Sequence, residues 1–239
     1  MLTETELIVL SGVKYTDSAS IINTYSEQLG SLSFKVIRSH SRKRGRANAL
    51  FTPLSIVQTT FNYYPTRAIQ VAGELQIIHR PLITTIDPNA NAVGLFLTDF
   101  LTRLLRNSAT DPQLYRYLRA ELLGFESLGN RGVSSFHLRM LCGVLHFLGI
   151  LPAIEKYRKG YILDFDSGTF RPQYSCQEQP RALASELLIQ FITEVSPEEL
   201  TLDREERNAL LALLLDYIGY HFPEIGIMKS PDILTQLFR

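Results

Sequence analysis

Cysteine is scarce in this 239-residue chain: only Cys142 and Cys176 are present. Two cysteines cannot build a disulfide-stapled secreted scaffold, so a reducing cytosol is the expected compartment. They are isolated, not paired as Cys-x-x-Cys. The opening residues, Met1 to Glu6, are acidic and lack the positive charge and long apolar run of a signal peptide. The apolar run from Ala209 to Leu215 is too short to span a bilayer. No Gly-x-x-x-x-Gly-Lys-Ser/Thr, Gly-x-Gly-x-x-Gly or Gly-x-Ser-x-Gly occurs, and none of the five histidines has a partner at His-x-x-x-His spacing. No nucleophile is given a base. The expectation is a protein that is not an enzyme and carries no cofactor and no metal.

Net charge is also missing, at zero over the chain, which taken alone argues against a nucleic-acid binder. Its distribution argues the other way. Residues 1–80 hold nine Lys/Arg against five Asp/Glu, a net +4, and the remainder balances it at −4. Such asymmetry suggests a basic working surface on a neutral or acidic body. The charge is concentrated in Arg38-Ser39-His40-Ser41-Arg42-Lys43-Arg44-Gly45-Arg46, with five cations and no acid. Such a stretch repels itself unless solvated or neutralised. Phosphates neutralise it, with released counterions as the driving force.

The first 80 residues have strand character. Glu6–Ser11 and Ser20–Tyr25 are short apolar runs, and Gly30 stands where a turn is needed. Leu32, Phe34 and Val36 alternate with Ser33, Lys35 and Ile37. Ser55–Tyr64 is rich in β-branched and aromatic residues, and Arg67–Ile78 is a fifth candidate. Five short strands without a long helix fit a closed barrel such as the OB-fold, with a small sandwich or SH3-like barrel as alternatives. Near Pro81 the period changes. Asp87-Pro88, Asp111-Pro112, Ser196-Pro197 and Ser230-Pro231 each set a capping side chain before a proline at the first helical position. Ser196 to Glu199 and Asp203 to Glu206 have capping-box spacing. Helices are expected at about 88–106, 112–124, 135–148, 182–194, 203–221 and 231–238, the fifth central to a bundle. Residues 161–170 read as a β-hairpin turning at Asp166-Ser167-Gly168. The class is α+β in two domains: 1–80, a five-stranded barrel that binds nucleic acid, and 81–239, a helical domain with a hairpin near 161–170.

The candidate nucleic-acid contacts are Lys35, Arg38, Arg42, Lys43, Arg44, Arg46 and Arg67, with Tyr63 and Tyr64 as stacking residues. Phe34 and Phe61 are expected to face the core. The two adjacent tyrosines, if in a strand, point to opposite faces, which guarantees one outward ring. His137 lies on the stripe of Leu141, Val144 and Leu148, as a packed histidine would. Asp164 and Asp166 alternate on one strand face, but no third ligand is close in sequence, and a turn explains Asp166.

One set of blocks runs in order along most of the chain: Ile8-Val9-Leu10 followed by Lys14 to Ser18, Tyr25 to Gly30, the basic stretch with Ala49 to Leu54, Ser135-Phe136-His137-Leu138-Arg139 leading to Phe147–Pro152, and Glu206 to Leu211, Tyr217, His221 and Lys229 to Leu234. In these blocks the sequence resembles the RecO family of recombination-mediator and DNA-repair proteins. The first looks like the family's opening strand and turn, the next two look like later steps of the same domain, and the block from Ser135 to Pro152 is the most specific. None is a catalytic signature. The resemblance implies an N-terminal OB-fold, a C-terminal helical domain, binding to single- and double-stranded DNA, and annealing of complementary strands. It also implies partnership with RecR, contact with the acidic tail of the single-stranded-DNA-binding protein, and help in loading RecA. That tail needs a cation beside an apolar groove; Arg103, Arg106, Arg119 and Arg139 are the candidates. Many family members carry a four-cysteine zinc module. With one cysteine before the hairpin and one after it, this chain lacks the ligands for a closed zinc shell. Two other readings compete: a protein-interaction adaptor with little direct DNA binding, and a nuclease using Asp164 and Asp166.

Overall fold

A computed structural model describes residues 1–17, 19–37, 52–193 and 202–237. The chain forms two compact units, Met1–Ser127 and Leu128–Arg239. The first unit opens with six strands: β1 (Leu2–Thr16), β2 (Ala19–Ser26), β3 (Gly30–Ile37), β4 (Ile56–Asn62), β5 (Ile69–Val71) and β6 (Glu74–His79). They form one sheet in the order β5-β3-β2-β1-β4-β6, antiparallel except for the β3–β5 pair.

Two expectations are corrected here. The fifth candidate strand is two strands, and the sheet is not a closed five-stranded barrel. The run that begins at Arg67 pairs first with β3 at one edge of the sheet and then with β4 at the other. Gly73 makes the crossing possible, because a Cβ there would fall onto the carbonyl oxygen of Thr60. Only Ala72 and Gly73 separate the two outermost strands. A two-residue link spans no more than about 10 Å, so the sheet must curl. No ladder joins β5 to β6 among the described residues, so the ring of hydrogen bonds stays open.

The inner face holds one apolar cluster from four strands: Leu7, Val9, Ile22, Leu32, Phe34, Val36, Val57 and Phe61. Phe34 and Phe61 meet edge to face at 5.0 Å, in the core as expected. Strand β1 is longer than its apolar run. It reaches Thr16 through two irregularities, between Val9 and Ser11 and between Lys14 and Thr16. Its residues Leu7 to Leu10 are all buried, so both faces of this stretch are covered.

Helices α1 (Ile83–Ile86), α2 (Pro88–Leu104) and α3 (Pro112–Phe125) follow. Asp87 and Asp111 cap α2 and α3 through carboxylate bonds from the next backbone N–H groups, as the Asp-Pro steps imply. Helix α2 packs on β1. The period change near residue 80 therefore marks where strands give way to helices, and the compact unit runs on to Ser127. Long-range bonds show why. The buried Tyr25 hydroxyl accepts from the Asp111 N–H at 3.1 Å and donates to the Ala109 carbonyl at 3.3 Å. Tyr115 donates to Glu6 at 2.8 Å, and Arg119 grips the same carboxylate with two nitrogens, at 2.6 and 3.2 Å.

The second unit contains α4 (Asn130–Phe147), the hairpin β7 (Tyr161–Asp164) and β8 (Thr169–Pro172), α5 (Gln179–Thr193), α6 (Arg204–His221) and α7 (Ser230–Leu237). Helix α4 starts five residues before the expected 135. Asp203 and Glu206 form the capping box of α6; the Ser196–Glu199 box lies outside the described residues. Helix α6 packs on both α4 and α5, the central place its sequence suggests. The hairpin turns over Phe165–Gly168 and is tied down from three sides. Leu163 N–H donates to the buried Ser185 hydroxyl at 3.0 Å, Arg181 donates to the Leu163 carbonyl at 2.7 Å, and Tyr220 donates to Asp166 at 3.0 Å. No helix among the described residues is long and apolar enough to cross a membrane.

Candidate nucleic-acid interface

The outer face of β1, β2, β3 and β5 is built from two rows of facing residues. Alternation puts Ile22, Phe34 and Val36 inside, so their neighbours point out. One row runs Ser11, Asn23, Ser33, Ile69 and the other Val13, Ile21, Lys35, Val71. In the first row Asn23 is a relay: its amide donates to Ser11 Oγ at 3.1 Å, and its carbonyl oxygen accepts from Ser33 Oγ at 2.9 Å. In the second row Val13 and Val71 are about six-tenths exposed. Beside this row stands Tyr15, the extra residue at the irregularity between Lys14 and Thr16, 58% exposed. Lys35 Nζ lies 5.8 Å over its ring, near the outer limit of a cation–π contact.

A second pair lies at the approach to β5. The Arg67 guanidinium stacks over the Tyr64 ring at 4.1 Å, both exposed. The turn that presents them is stapled by buried Gln70. Its amide donates to the carbonyls of Tyr64 (2.9 Å) and Arg67 (2.7 Å), and its side-chain oxygen accepts from Tyr64 N–H at 3.1 Å. Tyr63 goes the other way, packing edge to face on Phe61 at 6.1 Å against the inner cluster. The pair does splay to opposite sides, though β4 already ends at Asn62.

Of the expected nucleic-acid contacts, the structure gathers Lys35, Tyr64 and Arg67 around β3, β5 and the turn before β5. Arg38, Arg42, Lys43, Arg44 and Arg46 lie outside the described residues. Tyr15 and Asn23 share this outer face and Gln70 braces the turn, and sequence reasoning singled out none of the three. The exposed run Val13-Lys14-Tyr15 was the one available signal, and it falls beyond the apolar stretch that marked the strand.

The four partner-binding candidates are divided between the two units. Arg103, Arg106 and Arg119 belong to the first unit and Arg139 to the second. Arg103 is paired with Asp99 at 2.6 Å one helical turn away, Arg119 is committed to Glu6, and Arg139 lies 5.1 Å from the Phe136 ring. Arg106 is exposed just beyond α2. In the second unit a cation does border an apolar hollow. Arg181 sits 3.9 Å over Phe165 at a cavity of about 290 Å³ lined also by Ala184, Ala209, Ala212 and Leu213, with Asp216 at its edge. Burial lowers the Arg181 pKa.

No group of three or more His, Cys, Asp or Glu that could hold a metal occurs among the described residues. The two cysteines do not fit a zinc shell. Burial pushes the Cys142 thiol up to about 12, away from thiolate, and Cys176 is exposed. Asp164 accepts from Ser167, and Asp166 from Tyr220, so both have turn partners.

Comparison with known proteins agrees with this layout. Residues 86–231, more than half of the chain, match the family model described as "Recombination protein O C terminal". The chain is 31% identical over 241 residues to the DNA repair protein RecO of Phocaeicola vulgatus, covering all of both chains. It is 31% identical to its counterpart in Bacteroides fragilis and 29% to that of Porphyromonas gingivalis, again over the full length of each. Strands first, helices after, and the match along the whole chain place this protein in the RecO family of DNA repair proteins.

Proposed function

We propose that this protein is a recombination mediator that binds single- and double-stranded DNA and anneals complementary strands. With RecR, it helps load RecA onto DNA coated with the single-stranded-DNA-binding protein. The observation that carries this reading is the outer sheet face. Lys35, Tyr15 and the polar Ser11–Asn23–Ser33 row share it, and the chain leaves β3 directly into five cations in nine residues. Residues 1–80 act as the DNA-binding module, with the curled sheet as an OB-fold whose last closing ladder is unmade. Lys35, Arg38, Arg42, Lys43, Arg44, Arg46 and Arg67 neutralise phosphates without reading sequence. Tyr64 and Tyr63 flank this surface, Tyr64 held under Arg67 and Tyr63 packed against the inner cluster. Annealing by this route needs no bond chemistry. A cationic surface screens the repulsion between two strands and raises their local concentration, so no enzymatic step and no cofactor are required.

For the acidic tail of the single-stranded-DNA-binding protein, Arg103, Arg106, Arg119 and Arg139 remain the cations to test. The Arg181 hollow joins them as a cation beside an apolar groove. The protein acts at the bacterial nucleoid, inside the cytoplasm.

The test is anisotropy of a fluorescent oligonucleotide across a salt series. Replacing Arg42, Lys43, Arg44 and Arg46 together with Ala is expected to reduce the slope of log affinity against log salt by about three to four. An unchanged affinity and slope would move the DNA site elsewhere.

A further inference from the structure

Resting on the reading that this chain binds DNA, we propose that Tyr15 is a stacking platform for an unpaired base, and that it makes the outer sheet face prefer single strands over duplex.

Tyr15 is unlike the other aromatic residues near this surface. Phe34 and Phe61 are sealed in the core, Tyr63 packs against it, and the Tyr64 ring is covered at 4.1 Å by Arg67. Tyr15 is 58% exposed, and Lys35 approaches it only at 5.8 Å. Its position comes from the strand irregularity between Lys14 and Thr16, which inserts it as an unpaired residue at the end of β1. Bulges re-aim a side chain in this way. A large ring held out in water loses the burial that aromatic residues normally gain. The neighbouring outward residues, Val13, Ile21 and Val71, are apolar as well, yet an ammonium stands in the middle of their row. An apolar strip with one central cation complements a chain of flat bases linked by phosphates.

The same geometry separates the two forms of DNA. In a duplex the bases are stacked on each other and paired, so the ring has no base face to meet. Only phosphates are then available, and Lys35 meets those in either form. A single strand can splay a base onto the ring, and such stacking tolerates any base because every base has a π face. Cations therefore set general affinity, and Tyr15 sets the preference for unpaired strands.

The experiment uses the full chain, with a labelled oligothymidylate and a labelled duplex of equal length, each over a salt series. Tyr15→Ala is expected to weaken single-strand binding about tenfold, while duplex binding and both salt slopes stay unchanged. Tyr15→Phe should restore single-strand affinity. Lys35→Ala should weaken both forms and lower both slopes by about one. Equal weakening of both DNA forms by Tyr15→Ala, or no weakening of either, overturns the proposal. If the unaltered protein binds neither DNA, the underlying DNA-binding reading falls too, and the two failures are told apart by that control. Tyr15 is exposed, and an unchanged thermal melt of Tyr15→Ala shows that loss of binding is not loss of fold.

Discussion

Gly30 carries two requirements that no other residue meets together. Its φ is +67°, and a Cβ there would lie 2.7 Å from the carbonyl oxygen of Ser108, which already accepts from the Ser31 N–H at 3.1 Å. Gly30→Ala is expected to destabilise the protein by about 2 kcal/mol through strain and overlap, read as a lower midpoint in urea denaturation. His137 makes a different demand. Burial, reinforced by the positive charge of Arg207, lowers its pKa from 6.5 to about 3. The folded state therefore keeps His137 neutral while the unfolded state takes up a proton below about 6.5. Its contribution to stability is complete above pH 6.5 and is lost as pH falls toward 3, by at most about 1.4 kcal/mol per pH unit. His137→Leu is expected to flatten the fall of melting temperature between pH 7 and pH 4, measured by circular dichroism. A slope equal to that of the unaltered protein would show that other groups dominate acid unfolding.

At the scale of elements, the hairpin β7–β8 is held by side-chain packing. Phe165, in its turn, lies under Arg181 at 3.9 Å and beside the rings of Tyr217 at 5.4 Å and Tyr220 at 6.1 Å. Stacking and hydrogen bonds fix the strand pair against α5 and α6. Phe165→Ala is expected to cost about 2 kcal/mol, less than a fully buried phenylalanine would. A chelator should leave the melting temperature of the unaltered protein unchanged. A drop on chelation would mean that a metal contributes after all. These elements were legible to different degrees. Asp87, Asp111 and the Asp203–Glu206 box act within one turn of their own residues, so the helix starts are local facts and the sequence shows them. The two-strand nature of 67–78 is not local, because Gly73 matters only where the chain crosses Thr60. The Arg119–Glu6 pair is hidden for the same reason, its members standing more than a hundred positions apart. Tyr15 was missed because hydrophobic patterning marks buried faces, and this ring is exposed.

For the whole molecule, the zero net charge conceals a division of labour. The N-terminal 80 residues carry +4 and the rest −4. On the proposed DNA-binding reading, the acidic remainder limits nonspecific attraction to nucleic acid. The membership of the chain in the RecO family rests on full-length similarity, whereas the DNA contacts proposed here rest on the placement of Lys35, Tyr15, Tyr64 and Arg67. Those two supports are independent, so a failed contact would revise the site without touching the family.

The link through Ala72 and Gly73 has a meaning for solubility. An unpaired strand edge is a template on which another molecule can add a strand. Among the described residues the two sheet edges are β5, three residues long, and β6, and a two-residue link joins the end of one to the start of the other. A link this short keeps the joined ends of the two edge strands side by side, which leaves little room there for a strand from another molecule.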